Sequence, residues 1–251
     1  MPIPKKIHYC WFGGNEKSDL AKRCIASWSY YCPDYEIIEW NEENFNIECN
    51  EYCRQMFHER RWAFLTDYAR LKVVYEFGGI YLDTDVELLK SLDDFVSLDA
   101  FMACEDGKYV NTGLGFGAYK HHPMVKENLA YYEGLSGDIQ PKKCPDITTE
   151  ILRRYRYNDA KNVTEICGVK IYPREYFSPK DYYTEKLCIT KNTVSIHHYA
   201  GSWCEKETGK QRFLRMHPRV NWVVHIPNRI GMYVLGDKYE EIKKWCKNRK
   251  N

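Results

Sequence analysis

The chain has 251 residues, of which 44 % are hydrophobic and 29 % charged, with a formal net charge of +2. That length and apolar content suit one α/β domain with a buried core and argue against a disordered chain. The near-neutral charge argues against a dedicated nucleic-acid binder, and no 18-residue apolar run is present to cross a membrane as a helix.

The opening, MPIPKKIHYCWFGG, lacks the apolar core and small-residue cleavage site of a secretory leader, so a cytoplasmic setting is expected. The 11 cysteines are an odd number without a C-x-x-C pair; they read as reduced, small hydrophobic side chains, neither a disulfide framework nor a zinc site. Residues 7–12, Ile-His-Tyr-Cys-Trp-Phe, are strand-prone and stop at Gly13-Gly14. Ser18 is placed to cap a helix running to about Tyr31, with Leu20, Cys24, Ile25, Trp28 and Tyr31 near helical spacing and Pro33 beyond its end. A second strand follows over 35–40. Strand, helix and strand with short links open a parallel, right-handed α/β sheet.

Residues 62–77, WAFLTDYARLKVVYEF, predict a helix that is apolar on most faces and therefore buried. Its polar members Thr66, Asp67 and Arg70 then need a reason to be there. Gly78-Gly79 ends it, and a strand is expected over 80–86. Later strands are expected over 100–104, 114–118 and 193–199, and helices over 123–132, 148–155 and 238–247. The run Gly-Leu-Gly-Phe-Gly at 113–117 looks like a phosphate loop, but it is G-x-G-x-G and does not meet the dinucleotide fingerprint.

In a regular strand, Tyr81, Asp83 and Asp85 share a face, with the two carboxylates roughly 6.5–7 Å apart along the chain. Two such groups repel and resist burial. A divalent cation bridging them to an anionic ligand relieves both problems, and hard oxygen ligands suit Mg²⁺ or Mn²⁺. The carboxyl ends of an open α/β sheet are also where nucleotides bind. A bare D-x-D is more often an exposed strand end or turn. Here the apolar helix, the Gly-Gly stop and the apolar strand that precede it make the pattern more specific.

The stretch Ala63–Val86, AFLTDYARLKVVYEFGGIYLDTDV, closely resembles the signature of the D-x-D sugar transferases of glycosyltransferase family 32, whose core pattern the bacterial glucosylating toxins share. Two further blocks agree in order: IPKKIHYCWFGG resembles the family's opening strand, and HHYAGSW (His197–Trp203) its closing block. The resemblance runs from residue 3 to 203. It implies a GT-A fold, a Rossmann-like and mostly parallel central sheet flanked by helices, acting as a single catalytic domain over 1–251. Residues 1–110 would mainly bind the nucleotide sugar, 111–205 would form the acceptor side and a C-terminal flap, and 206–251 a helical extension.

The implied activity is metal-dependent transfer of a hexosyl group from a nucleotide sugar, with retention of configuration, to a saccharide or lipid-linked saccharide. A UDP-sugar is favoured, a GDP-sugar stays open, and the implied setting is bacterial surface or capsular polysaccharide synthesis. Asp83 and Asp85 take the D-x-D positions; Asp85, His198 and Asp83 would hold Mn²⁺ or Mg²⁺. His198, followed by Tyr199, Ala200 and Gly201, matches a histidine–aromatic–x–glycine pattern and is preferred as ligand to His197, which would pack on the opposite face. Asp67 and Arg70, at i,i+3, would meet the donor sugar. Trp11 would stack on the base, with Phe12 and Gly13 beside the base or phosphates and Tyr81 near the ribose. Asn111 would stand near the anomeric carbon. Ser202 and Trp203 would close over the diphosphate, the indole N–H donating to the leaving oxygen.

No enzyme nucleophile is evident, which fits front-face attack with catalysis by positioning and leaving-group stabilisation. Two other readings compete. A haloacid-dehalogenase-type phosphatase shares the apolar strand and D-x-D, but its fifth position here is Glu87. A non-catalytic carbohydrate-binding protein would use the aromatics alone. The tail 238–250, with Lys243, Lys244, Lys247, Arg249 and Lys250 around Trp245, is either a solvated helix or a peripheral contact with anionic lipid.

Overall fold

The computed structural model describes residues 1–182 and 184–201. The chain divides into two compact units: Met1–Lys180 with Leu187–Trp203, and Asp181–Lys186 with Cys204–Asn251. Ser202, Trp203, the expected extension 206–251 and the basic tail lie outside the described residues. Among those that are described, no helix is long and apolar enough to cross a membrane.

The first unit follows the predicted opening. Strand β1 (Lys6–Cys10) leads through helix α1 (Asp19–Tyr31) to β2 (Glu36–Trp40), which pairs parallel with β1. Ser18 caps α1 by accepting the Ala21 N–H at 3.2 Å. Trp28, fully buried, anchors α1 by donating its indole N–H to the Val86 carbonyl at 2.7 Å. Helices α2 (Glu51–His58) and α3 (Trp62–Phe77) follow, then β3 (Gly79–Tyr81), β4 (Val86–Leu88), α4 (Asp93–Val96), β5 (Ala100–Ala103), β6 (Phe116–Ala118), α5 (Pro123–Glu133), α6 (Cys144–Arg154), β7 (Thr164–Ile166), β8 (Val169–Tyr172), α7 (Arg174–Phe177) and β9 (Ser195–His197).

The main sheet has the order β2-β1-β3-β6-β5-β8-β7. β2, β1 and β3 are mutually parallel, as are β5 and β8; β6 and β7 run against their neighbours, so five of the seven strands share one direction. This is the expected mostly parallel α/β sheet. Alternation along β1 splits the core: Ile7 and Tyr9 pack with Trp28 on one face, and Cys10 packs with α3 on the other. The glycine run at 113–117 leads into β6, where it serves close packing. A Cβ on Gly117 would stand 2.7 Å from the Phe101 ring.

Helix α3 is buried as its composition demands. Leu65, Tyr68, Ala69, Leu71, Val73 and Val74 lie in the core, and so do Asp67 and Arg70. It stops at Gly78 and Gly79, whose φ values of 64° and 113° favour glycine, and a Cβ on Gly78 would lie 2.9 Å from the Pro4 ring. The expected strand over 80–86 is corrected: it breaks after Tyr81. The chain turns, with the Val86 N–H donating to the Asp83 carbonyl at 3.0 Å, and resumes as β4 in a separate two-stranded sheet with β9. The turn frees Asp83 and Asp85 from the pleat that would have spaced their side chains along an extended chain.

Candidate active site

The site gathers at the carboxyl ends of β1 and β3, where the parallel half of the sheet gives way to β6. Asp83 is fixed first by its backbone, whose N–H donates to the Gly113 carbonyl at 3.1 Å. Its Oδ1 accepts from the Tyr81 hydroxyl at 3.0 Å and meets the Arg70 guanidinium at 3.1 Å. Burial and the neighbouring Asp85 raise the Asp83 carboxyl above its ordinary value against the pull of Arg70.

Asp85 is held by the segment that ends β9 and follows it. His197 Nε2 lies 3.2 Å from its Oδ1, and the Ala200 N–H donates to its Oδ2 at 2.8 Å. Burial opposes the charge on Asp85, but the His197 charge and these hydrogen bonds outweigh it, and the carboxyl falls to about 2. His197 moves the other way: burial lowers it, and Asp85 and Asp83 more than reverse that. Asp83, Asp85 and His197 each offer a ligand atom, and these atoms lie within 4.8 Å of one another.

The two histidines therefore exchange the places expected of them. His197, expected to pack away from the site, joins the aspartates. His198, expected as the metal ligand, turns to the other side, where its Nε2 is 2.7 Å from Glu87 Oε2; its backbone N–H donates to the Asp85 carbonyl. The pairing of Val86 with His197 across β4 and β9 sets this, since register decides which of two successive side chains faces Asp85.

Arg70 links the aspartates to α3. One guanidinium nitrogen lies 3.2 Å from Asp67 Oδ1 and 3.1 Å from Asp83 Oδ1, and the group sits 5.1 Å over the Tyr81 ring. Burial pushes the Asp67 carboxyl up to about 6 even beside this cation. One cation thus serves two carboxylates, in a place where any unpaired charge would be costly. The Arg70 Nε, buried, has no hydrogen-bond partner among the described residues.

Asn111 closes the opposite flank. Its Oδ1 accepts from the Gly113 N–H at 2.7 Å and from the Cys144 thiol at 3.5 Å, and its Nδ2 donates to Glu105 Oε2 at 3.2 Å. Arg70 also donates to the Cys144 sulfur at 3.5 Å. A Cβ on Gly113 would come within 2.1 Å of Asp83 Oδ2 and 3.0 Å of the Arg70 guanidinium, so this position requires glycine for space.

The base-side residues fall in a different arrangement. Trp11 is half-buried, donates its indole N–H to the Asn15 carbonyl at 2.6 Å, and carries the Lys17 ammonium 5.6 Å from its ring centroid. It borders a small open cleft shared with Ser18, Thr84, Asp85 and Ala200. The Phe12 side chain, expected beside the base, is instead buried against Phe45 at 5.9 Å between ring centroids, because the apolar ring finds a core partner there. Gly13 packs on Trp62, where a Cβ would meet the indole at 2.9 Å, and its N–H donates to Glu42. Ser202 and Trp203 lie outside the described residues.

Glu105, Gly113 and Cys144 also belong to this neighbourhood, and the sequence pattern did not single them out for it, whereas His197 stood in the closing block as the less favoured ligand. Of the three, Gly113 carried a signal, its place directly after Asn111-Thr112 in the glycine run. The others depend on contacts between segments that are not neighbours along the chain.

Residues 18–102 match the family model described as glycosyltransferase sugar-binding region containing DXD motif. The chain is 28 % identical over 136 residues to an alpha-1,4-N-acetylglucosaminyltransferase of Homo sapiens, covering 50 % of this chain and 38 % of that protein. It is 24 % identical over 201 residues to an uncharacterised glycosyltransferase of Acanthamoeba polyphaga mimivirus, covering 74 % of this chain and 77 % of that one. Among solved structures, the PaToxG glycosyltransferase superposes with a TM-score of 0.51 at 18 % identity, covering 61 % of this chain and 69 % of that one. This last likeness concerns the fold, which is GT-A. The chain spans less than half the length of the human relative.

Proposed function

We propose that this chain, which carries the glycosyltransferase D-x-D sugar-binding region on a GT-A fold, moves a hexosyl group from a nucleotide sugar to the hydroxyl of a saccharide or lipid-linked saccharide. The observation that carries the reading is the convergence of Asp83, Asp85 and His197 beside the buried Asp67–Arg70 pair. The match to the sugar-binding D-x-D region and the GT-A fold weigh against a phosphatase of the competing kind.

The donor set fits a divalent ion. It consists of two carboxylates and one imidazole, the Asp85 carboxyl favours its ionised form, and the buried His197 Nδ1 has no partner among the described residues. Oxygen ligands with one nitrogen suit Mn²⁺ or Mg²⁺. Such an ion would supply Lewis-acid stabilisation of the charge that develops on the diphosphate as it leaves.

The protein's own residues do the rest. Arg70 offsets the charges of Asp67 and Asp83, which lets both persist at the edge of the core. Asp67, raised to about 6, would hydrogen-bond sugar hydroxyls in this reading. Asn111, tied to Gly113, Cys144 and Glu105, would stand at the acceptor flank. Retention by front-face attack is part of the proposal, with positioning as the main contribution.

The donor is proposed to be a UDP-sugar, with the Trp11 indole beside the cleft as the base platform. We propose that the product is a bacterial surface polysaccharide, made in the cytoplasm. A basic tail touching anionic lipid would bring the enzyme to a lipid-linked acceptor.

Calorimetric titration of the folded protein with UDP and with GDP, each with and without Mn²⁺, tests the reading. Mn²⁺-dependent binding of UDP is expected. Preference for GDP would move the donor to a GDP-sugar on the same site. Binding of neither nucleotide would remove the transferase reading and leave a carbohydrate-binding protein.

A further inference from the structure

Glu105 lies two residues beyond β5 at the mouth of a tight turn. Its backbone N–H donates to the Tyr109 carbonyl at 2.7 Å, and Asp106 caps the turn by accepting from the N–H groups of Lys108 and Tyr109, both at 2.9 Å. The half-buried carboxylate therefore projects from a well-tied segment.

Its contacts reach both flanks of the Asp83–Asp85–His197 cluster. On one flank it accepts from Asn111 Nδ2 at 3.2 Å, and the Asn111 oxygen is already committed to Gly113 and Cys144. Gly113 in turn takes the Asp83 N–H. On the other flank Glu105 lies within electrostatic reach of Tyr199, whose hydroxyl meets Ser178 at 2.6 Å, and of His197. Tyr199 sits at φ 55°, a backbone state that few non-glycine residues adopt, in the segment between His197 and Ala200 that grips Asp85.

Among the described residues the group that hydrogen-bonds the Glu105 carboxylate is neutral, the Asn111 amide. A carboxylate offers about four lone-pair sites, so this neutral partner leaves it with capacity for further donors. A sugar hydroxyl is such a donor, and the Asn111 amide beside it offers an N–H in return. We propose that Glu105 receives and orients the attacking hydroxyl of the acceptor, with Asn111 as its companion. The assignment rests on the glycosyltransferase reading. It names the flank of the site that binds the acceptor and the group that holds it by a charge-assisted hydrogen bond.

The test uses water as the acceptor, so no acceptor sugar need be known. Hydrolysis of a panel of UDP- and GDP-hexoses with Mn²⁺ is followed for the full chain, for Glu105→Gln and for Glu105→Ala, with thermal unfolding as the folding control. Glu105→Gln keeps the size of the side chain and its ability to accept from Asn111, so it remains informative if Glu105→Ala does not fold. The expected result is a kcat lowered about tenfold or more in Glu105→Gln, with donor KM and nucleotide affinity unchanged within about twofold. Wild-type kcat in Glu105→Gln would overturn the proposal and reduce Glu105 to a tether for Asn111. So would a fall in nucleotide affinity that matches the fall in kcat. If the wild-type protein binds neither nucleotide, the glycosyltransferase reading itself falls and takes this assignment with it.

Discussion

His197 Nε2 stands 3.2 Å from Asp85 Oδ1, a contact made because β9 lies against β4 with His197 opposite Val86. The same register sends His198 to Glu87. His197→Ala should therefore weaken Mn²⁺ binding by about 10–100-fold, the scale expected when a residue that holds or orients a metal is lost. His198→Ala should weaken it far less. Calorimetric titration of Mn²⁺ into both variants decides the matter, and the opposite order would return the ligand to His198.

Gly113 is a matter of space. With a Cβ only 2.1 Å from Asp83 Oδ2, alanine must displace the Asp83 carboxylate or the Arg70 guanidinium beside it. Gly113→Ala should cost about 1–3 kcal/mol of stability, as overpacking does, and should weaken Mn²⁺-dependent nucleotide binding. Urea unfolding and calorimetry on the same preparation would check both effects. A variant with wild-type affinity would show that Asp83 has another place to go.

Arg70 answers two buried carboxylates at once. Removing it leaves both without their cation, and Arg70→Ala should destabilise the fold by about 3–5 kcal/mol. Arg70→Lys should recover only part of this, because a compact ammonium lacks the planar fork that reaches Asp67, Asp83 and Cys144 together. Equal stability of the lysine variant and wild type, by chemical denaturation, would contradict the shared-fork geometry.

His8 makes the fold sensitive to acid. It is buried in β1, takes the Trp40 indole N–H on Nδ1 at 3.1 Å, and so carries its own proton on Nε2, which faces the Gly78 carbonyl at 2.8 Å. Burial, the largest influence, lowers its pKa to about 4. The unfolded chain then binds a proton between about pH 6.5 and 4 that the folded chain refuses, so stability rises with pH across this window. The contribution is complete above about pH 6.5 and is lost on acidification, up to about 3 kcal/mol in all. Urea midpoints over this range should fall more steeply for wild type than for His8→Gln; parallel curves would sink the assignment to His8.

Much of the molecule was legible in the residues. The Ser18 cap, the apolar run of α3 and its Gly78-Gly79 stop are local features, fixed by backbone preference and by a periodicity that neighbours along the chain express among themselves. Asp67 and Arg70 were legible for the same reason: two charged residues one helical turn apart, in an otherwise apolar helix, must answer each other or a ligand. The parallel opening of the sheet followed from short links between strand and helix.

Tertiary structure decided the rest. The strand expected over 80–86 ends at Tyr81 because Asp83 is claimed from three directions, by Gly113, Tyr81 and Arg70, and the chain turns to satisfy them. Whether His197 or His198 meets Asp85 hangs on a one-residue register between strands far apart in the chain, and a period of two is blind to its own phase until the partner strand is in place. Glu105, Gly113 and Cys144 entered the site through contacts with Asn111, Asp83 and Arg70, set by how the loops after β3 and β5 meet the start of α6. Local chemistry selects the elements; which side chains converge depends on the relative placement of those elements, and that is encoded in packing across the whole sheet.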